Sequence, residues 1–158
     1  MDYSKQEVIE VAQGVRDNYF HSDYSWDGLQ NLLNDLGGEL VYVDSDDLEE
    51  SLLIHGDGSF TIYLPHHTSD RRDYFTIAHE LGHYFLHWED DGEETPFCRG
   101  ESNLVEWQAN WFAAELLMPT DEFTEAAEEC GNDVNELADQ FGVSRSAVSV
   151  RLEVLDLD

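Results

Sequence analysis

Apolar residues in this chain recur first at a helical period, then at an alternating one, then at a helical one again. Ser4-Lys5-Gln6-Glu7 has the form of a capping box, and Val8, Val11, Val15 and Tyr19 follow at helical spacing. A second helix is predicted from about Ser25 to Leu36, with Leu29, Leu32, Leu33 and Leu36 inward and Gly37-Gly38 ending it. Strands are then predicted at Glu39 to Val43, Leu52 to Ile54 and Phe60 to Leu64, the last two joined by a turn at Gly56-Asp57-Gly58. Pro65 closes the third. The helical period returns from about Arg72 to His87, and an acidic loop is expected from Glu89 to Arg99. A further helix is predicted from about Ser102 to Met118, where Pro119 stops it. Shorter helices should run from about Asp121 to Cys130, Val134 to Phe141 and Arg145 to Leu155. This pattern predicts a mainly helical α+β domain spanning 1–158, with a core over about 1–119 and a helical C-terminal segment over 120–158. Its small three-stranded sheet should pack on the helix that begins near Arg72.

That helix carries candidate chemistry. His79-Glu80-Leu81-Gly82-His83 is an HExxH motif inside a helical pattern. Residues i and i+4 are neighbours on a helix face, so the two imidazoles can converge on one ion, and zinc binds such nitrogens. Glu80 directly follows the first ligand and is placed to take a proton from a water that the metal activates. The reading is a zinc-dependent peptidase with Glu80 as its catalytic residue.

A catalytic zinc needs a third protein ligand. The Gly and His of the extended metzincin pattern are absent, because Leu86 and Glu89 occupy those positions. His87 lies eight residues from His79, about 12 Å along the helix axis, and is read as a boundary histidine. The next predicted helix offers Glu101, Glu106 and Glu115. At about 100° per residue, Ala109, Asn110 and Ala113 share a face with Glu106, whereas Glu115 lies opposite and Glu101 well away. That face is small apart from its polar groups, and Gly82 offers a matching gap beside the two histidines. Glu106 is therefore the expected third ligand, and Asn110, one turn on, is placed to orient a histidine through its free ring nitrogen.

Charge changes the picture next. Asp and Glu number 36 against 7 Lys and Arg, a formal net charge of −29, with Lys5 the only lysine. The acids are spread along the chain, so the surface repels itself at ordinary ionic strength, and molar salt would screen that repulsion. The expectation is a protein adapted to a salt-rich cytoplasm such as that of haloarchaea; the competing explanation is an acidic surface that binds a basic partner or mimics DNA. No apolar run approaches the ~20 residues of a membrane span. Met1 to Val8 has no apolar signal-peptide core, and Cys98 and Cys130 make no disulfide framework. A cytoplasmic location with no membrane contact is expected.

FTIAHELGHYFLH, ending at His87, and EWQANWFAAELLMP, from Glu106 to Pro119, together resemble the ImmA/IrrE-type metallopeptidases. The resemblance is strong over about Leu52 to Pro119. It implies a gluzincin-like site in which His79, His83 and Glu106 match the zinc ligands and Glu80 the acid/base. Many members carry a further Glu where this chain has Gln108. The resemblance also implies a regulatory protease whose protein substrate is a helix-turn-helix repressor.

From Leu137 to Leu152 the chain itself reads like a helix-turn-helix, with Gly142 at the turn and Ser144 as N-cap. Only Arg145 and Arg151 could neutralise phosphates there, against six acids from Asp133 to Asp158, so nucleic-acid contact is not expected. His66, His67, Tyr63 and Tyr84 are candidate oxyanion donors among which the sequence does not choose. The rival function is a non-enzymatic regulator, antitoxin-like or DNA-binding, that retained the metal motif; an intact HExxH with Glu106 favours the enzyme.

Overall fold

A computed structural model describes residues 3–20, 26–44, 50–66, 69–98 and 104–157. Among these described residues seven helices and four strands follow in the order α1 (Lys5–Val15), α2 (Trp26–Leu36), β1 (Gly38–Val43), β2 (Glu50–Ile54), β3 (Phe60–Pro65), α3 (Asp70–Leu86), β4 (Thr95–Cys98), α4 (Leu104–Leu117), α5 (Thr120–Cys130), α6 (Val134–Phe141) and α7 (Arg145–Val154). A π-helical turn, Arg16–Phe20, extends α1 and was not anticipated. The predicted ends at Ser25 and Ser102 lie outside the described residues. The fold is α+β, as the periodicities predicted.

Each start has a local cause. Ser4 accepts from the Glu7 backbone while Glu7 accepts from the Ser4 backbone, closing the capping box on α1. Ser69 caps α3 by accepting from Arg72 N, and Asp70 and Asp73 place negative charge at the positive end of its dipole. The helix thus begins two residues earlier than the apolar period alone suggests. Gly131 and Gly142 end α5 and α6 in the left-handed conformation that L side chains rarely adopt.

The sheet has the order β1-β3-β2-β4, with β1 parallel to β3 and the other neighbours antiparallel. The fourth strand corrects the acidic loop expected from Glu89 to Arg99. It is short, contains Pro96 and lies at the sheet edge, where a missing N–H costs no ladder bond on the open side. Leu52, Ile54, Phe60, Ile62 and Leu64 bury one apolar layer with Ile77 and Leu81 of α3. Among the described residues no helix is long and apolar enough to cross a membrane.

Helix α4 is apolar nearly all round, the signature of a helix covered on several sides. It packs against α3 on one side and α1 on another. Gly82 permits the first contact: a Cβ there would meet Ala109 Cα at 3.0 Å, its carbonyl oxygen at 3.1 Å and Phe112 Cβ at 3.2 Å. Replacing Gly82 by Ala gains about 1 kcal/mol of helix propensity. Wedging α4 away costs about 1–3 kcal/mol. A net loss is expected, read as a lower urea midpoint at constant m-value in molar potassium chloride; a raised midpoint would mean the helices separate freely.

Candidate metal centre

Helices α3 and α4 bring the predicted site residues together. On α3, His79, Glu80 and His83 each offer a ligand atom within 4.8 Å of the others, and the three could hold a metal ion. Glu106, in the first turn of α4, reaches across: its Oε2 lies 2.7 Å from His79 Nε2 and its Oε1 3.2 Å from His83 Nε2. One carboxylate therefore spans both imidazoles. Glu80 is 2% exposed, His83 is fully buried and His79 is partly covered. Glu115 points away from this cluster, accepting from Thr120 N at 2.8 Å and pairing with Arg151. Glu101 lies outside the described residues.

The outer ring nitrogens are held as well. His79 Nδ1 donates to Asn110 Oδ1 at 2.7 Å, which turns Nε2 toward Glu106. The partner of His83 is one the sequence reading missed. His83 Nδ1 lies 3.0 Å from His87 Nδ1, His87 Nε2 lies 2.8 Å from Gln108 Oε1, and Gln108 Nε2 donates to the Tyr3 carbonyl at 2.9 Å. A carbonyl can only accept, so the direction of the whole chain follows from its last member. Gln108 Oε1 must accept from His87 Nε2–H, which leaves His87 Nδ1 to accept from His83 Nδ1–H. His83 Nε2 then carries a lone pair and faces a carboxylate oxygen, two acceptors 3.2 Å apart. Such a pair is repulsive unless a cation lies between them, so the donor set fits a metal ion. The signal for His87 was available: it stands four residues after His83, the same spacing that joined His83 to His79.

Electrostatics agree with that assignment. Burial, helped by the charge of His79, pushes the His83 pKa down to about 4, so its imidazole is neutral and free to ligate. Burial also holds His87 below its ordinary range, against the hydrogen bond that its Nε2–H donates to Gln108 Oε1. For His79 burial is outweighed by the Glu106 hydrogen bond and the charges of Glu80 and Glu106, and its pKa rises. Burial would raise Glu106, yet the hydrogen bond from His79 and the charge of that imidazole bring it below the usual carboxylate range.

The surroundings are aromatic and small. The ring of Phe97, brought by β4, stacks on His83 with centroids 4.6 Å apart. Phe112 is fully buried, whereas Trp107 is 57% exposed. Tyr84 packs against Phe60 and Trp88, and His66 stacks on Tyr42 with its Nε2 3.3 Å from Asp44. His67 lies outside the described residues. Cys98 and Cys130 are not joined by a disulfide. In the C-terminal segment α6 and α7 do pack as a pair, but Arg151 is 5% exposed and bonds the Met118 carbonyl at 2.8 Å, so it is withdrawn from any phosphate.

Comparison with known proteins adds to this geometry. A solved structure of a Mycobacterium tuberculosis transcriptional regulator superposes with a TM-score of 0.61 at 21% identity, covering 95% of this chain and 52% of that one. The chain thus spans about half the length of that protein, and the likeness is one of fold. The metallopeptidase ImmA of Bacillus subtilis (strain 168) is 31% identical over 122 residues, 75% of this chain and 72% of that one. The family described as IrrE N-terminal-like domain matches residues 37–153, a stretch that holds the sheet, both histidines and the whole of α4. A peptidase family that covers the site helices and a metallopeptidase relative aligned over 75% of this chain agree, and this chain belongs to the IrrE N-terminal-like domain family.

Proposed function

We propose that this chain is a zinc-dependent peptidase in which His79, His83 and Glu106 hold the metal and Glu80 is the general base. The observation that carries the proposal is the meeting of a neutral His83 Nε2, His79 Nε2 and both oxygens of Glu106 at hydrogen-bond distance. Two imidazoles and a carboxylate are a common donor set for catalytic zinc, and His79 would hold the ion through a deprotonated Nε2. When bound, the ion supplies a polarised scissile carbonyl and a water of lowered pKa. The protein does the rest. Asn110 Oδ1 holds His79 Nδ1–H, and His87, backed by Gln108, holds His83 Nδ1–H, so both rings are fixed in one tautomer. A Glu80 carboxylate oxygen takes the proton of the attacking water and delivers it to the leaving amine.

The substrate is proposed to be a protein, a helix-turn-helix transcriptional repressor, the class that the family resemblance implies. The withdrawal of Arg151 supports a protein rather than a nucleic-acid partner for the C-terminal helices. A cytoplasm rich in salt is the proposed setting: of the described Asp and Glu only Asp73, Glu80 and Glu115 are buried, so the acidity lies at the surface. Incubation with a repressor encoded beside the gene, in molar potassium chloride, tests the activity. Cleavage should stop with a zinc chelator and return with stoichiometric zinc; cleavage indifferent to the chelator would overturn the proposal.

A further inference from the structure

A cleft of about 490 Å³ opens where α1, α3, α4 and α7 meet. It reaches the candidate metal centre through Thr76, one turn before His79, and Asn110, which holds His79. Its apolar lining comes from Phe75, Trp111 and Met118 and from Val150 and Val154 of α7. The two valines are 59% and 46% exposed, large for apolar side chains in so charged a chain. The polar lining is equally selective. Acids outnumber bases 36 to 7 in the sequence, yet the described residues around the cleft include Lys5, Arg72 and Arg151 and no Asp or Glu. Arg151 is turned inward to Met118 and Glu115, which leaves Lys5 and Arg72 as exposed cations at the rim. Lys5 Nζ stands 5.8 Å over the Trp111 ring.

We propose that this cleft is a substrate subsite beside the scissile bond, taking a short polypeptide stretch in which a bulky apolar residue neighbours an Asp or Glu. The assignment rests on the peptidase reading above. Its volume is that of a site for a drug-sized ligand, so it accommodates a short peptide stretch rather than a single side chain. The apolar lining gives the binding energy, and Lys5 and Arg72 select the neighbouring carboxylate. The selection rests on direct hydrogen-bonded contact between cation and carboxylate, since molar salt screens any longer-range attraction. Within this cleft an acidic chain meets two exposed cations and, among the described lining residues, no carboxylate. The phosphates of a nucleic acid would find the cations, but the apolar lining would be left exposed to water.

Two arms test the assignment in molar potassium chloride. The first titrates zinc-loaded Glu80→Gln protein with blocked peptides of one length carrying a central Leu-Asp, Leu-Lys or Ser-Asp, and follows the Trp111 indole resonance by NMR. Leu-Asp should shift it at several-fold lower concentration than either other peptide. Equal responses, shifts confined to other tryptophans, or the same shift from a short DNA duplex would overturn the subsite. The second arm measures cleavage by the Val150→Asp and Arg72→Glu variants, both at exposed positions. KM should rise roughly tenfold or more, the scale on which an apolar pocket discriminates, with kcat and zinc content held. Unchanged KM with intact cleavage would overturn the cleft assignment alone. If the wild-type chain cleaves nothing, the peptidase reading fails and the binding arm still decides whether the cleft takes Leu-Asp.

Discussion

Replacing Glu80 by Gln should abolish peptide-bond hydrolysis while leaving both the fold and the zinc content intact. Glu80 is buried on α3 between the two histidine positions, and the substitution keeps its shape while removing its basicity. Losing a positioned general base costs typically ~10²–10⁴-fold in rate. Zinc should remain, because His79, His83 and Glu106 are untouched. The rate constant and the metal content of the same preparation are the two readings needed. Hydrolysis at the wild-type rate would remove Glu80 from the mechanism; loss of zinc together with activity would recast it as a ligand.

The second large effect is on stability. Between about 0.1 M and several molar potassium chloride, the Debye length falls from ~10 Å to under ~3 Å. Over that range the melting temperature should rise by on the order of 10 °C, because self-repulsion opposes the compact state and fades as it is screened. A net charge of −29, with only Asp73, Glu80 and Glu115 buried among the described acids, is the cause. Zinc should add stability at every salt concentration, since it binds the folded site far better than the unfolded chain. A melting temperature that is flat or falls with added salt would leave the acidity to be explained by a basic partner.

Much of this arrangement was legible in the sequence because the period of one helix decides it. His79, Glu80 and His83 share a face by spacing alone, and α4 is regular enough that counting 100° per residue separated Glu106 from Glu115. Asn110 followed from the same wheel, and Gly82 signalled the close crossing of α3 and α4. What escaped depended on partners distant in the chain. β4 is an acidic-flanked segment with a proline, and only pairing with β2 makes it a strand. His87 read as a boundary residue because it was compared with His79 instead of His83. The partner of Gln108 is a backbone carbonyl 105 residues away, which no local pattern encodes. The cleft under α7 was likewise invisible, since Lys5, Arg72 and Val150 meet only when three separate helices converge.

X-ray absorption at the zinc edge of the zinc-loaded wild-type protein tests the central claim most directly. Two imidazole nitrogens are expected at ~2.0–2.1 Å, with oxygen filling the remaining positions, and no sulfur. The Glu106→Ala variant should lose most of its bound zinc. A third imidazole, which would implicate His87, or a sulfur at ~2.3 Å, which would implicate a cysteine, would contradict it.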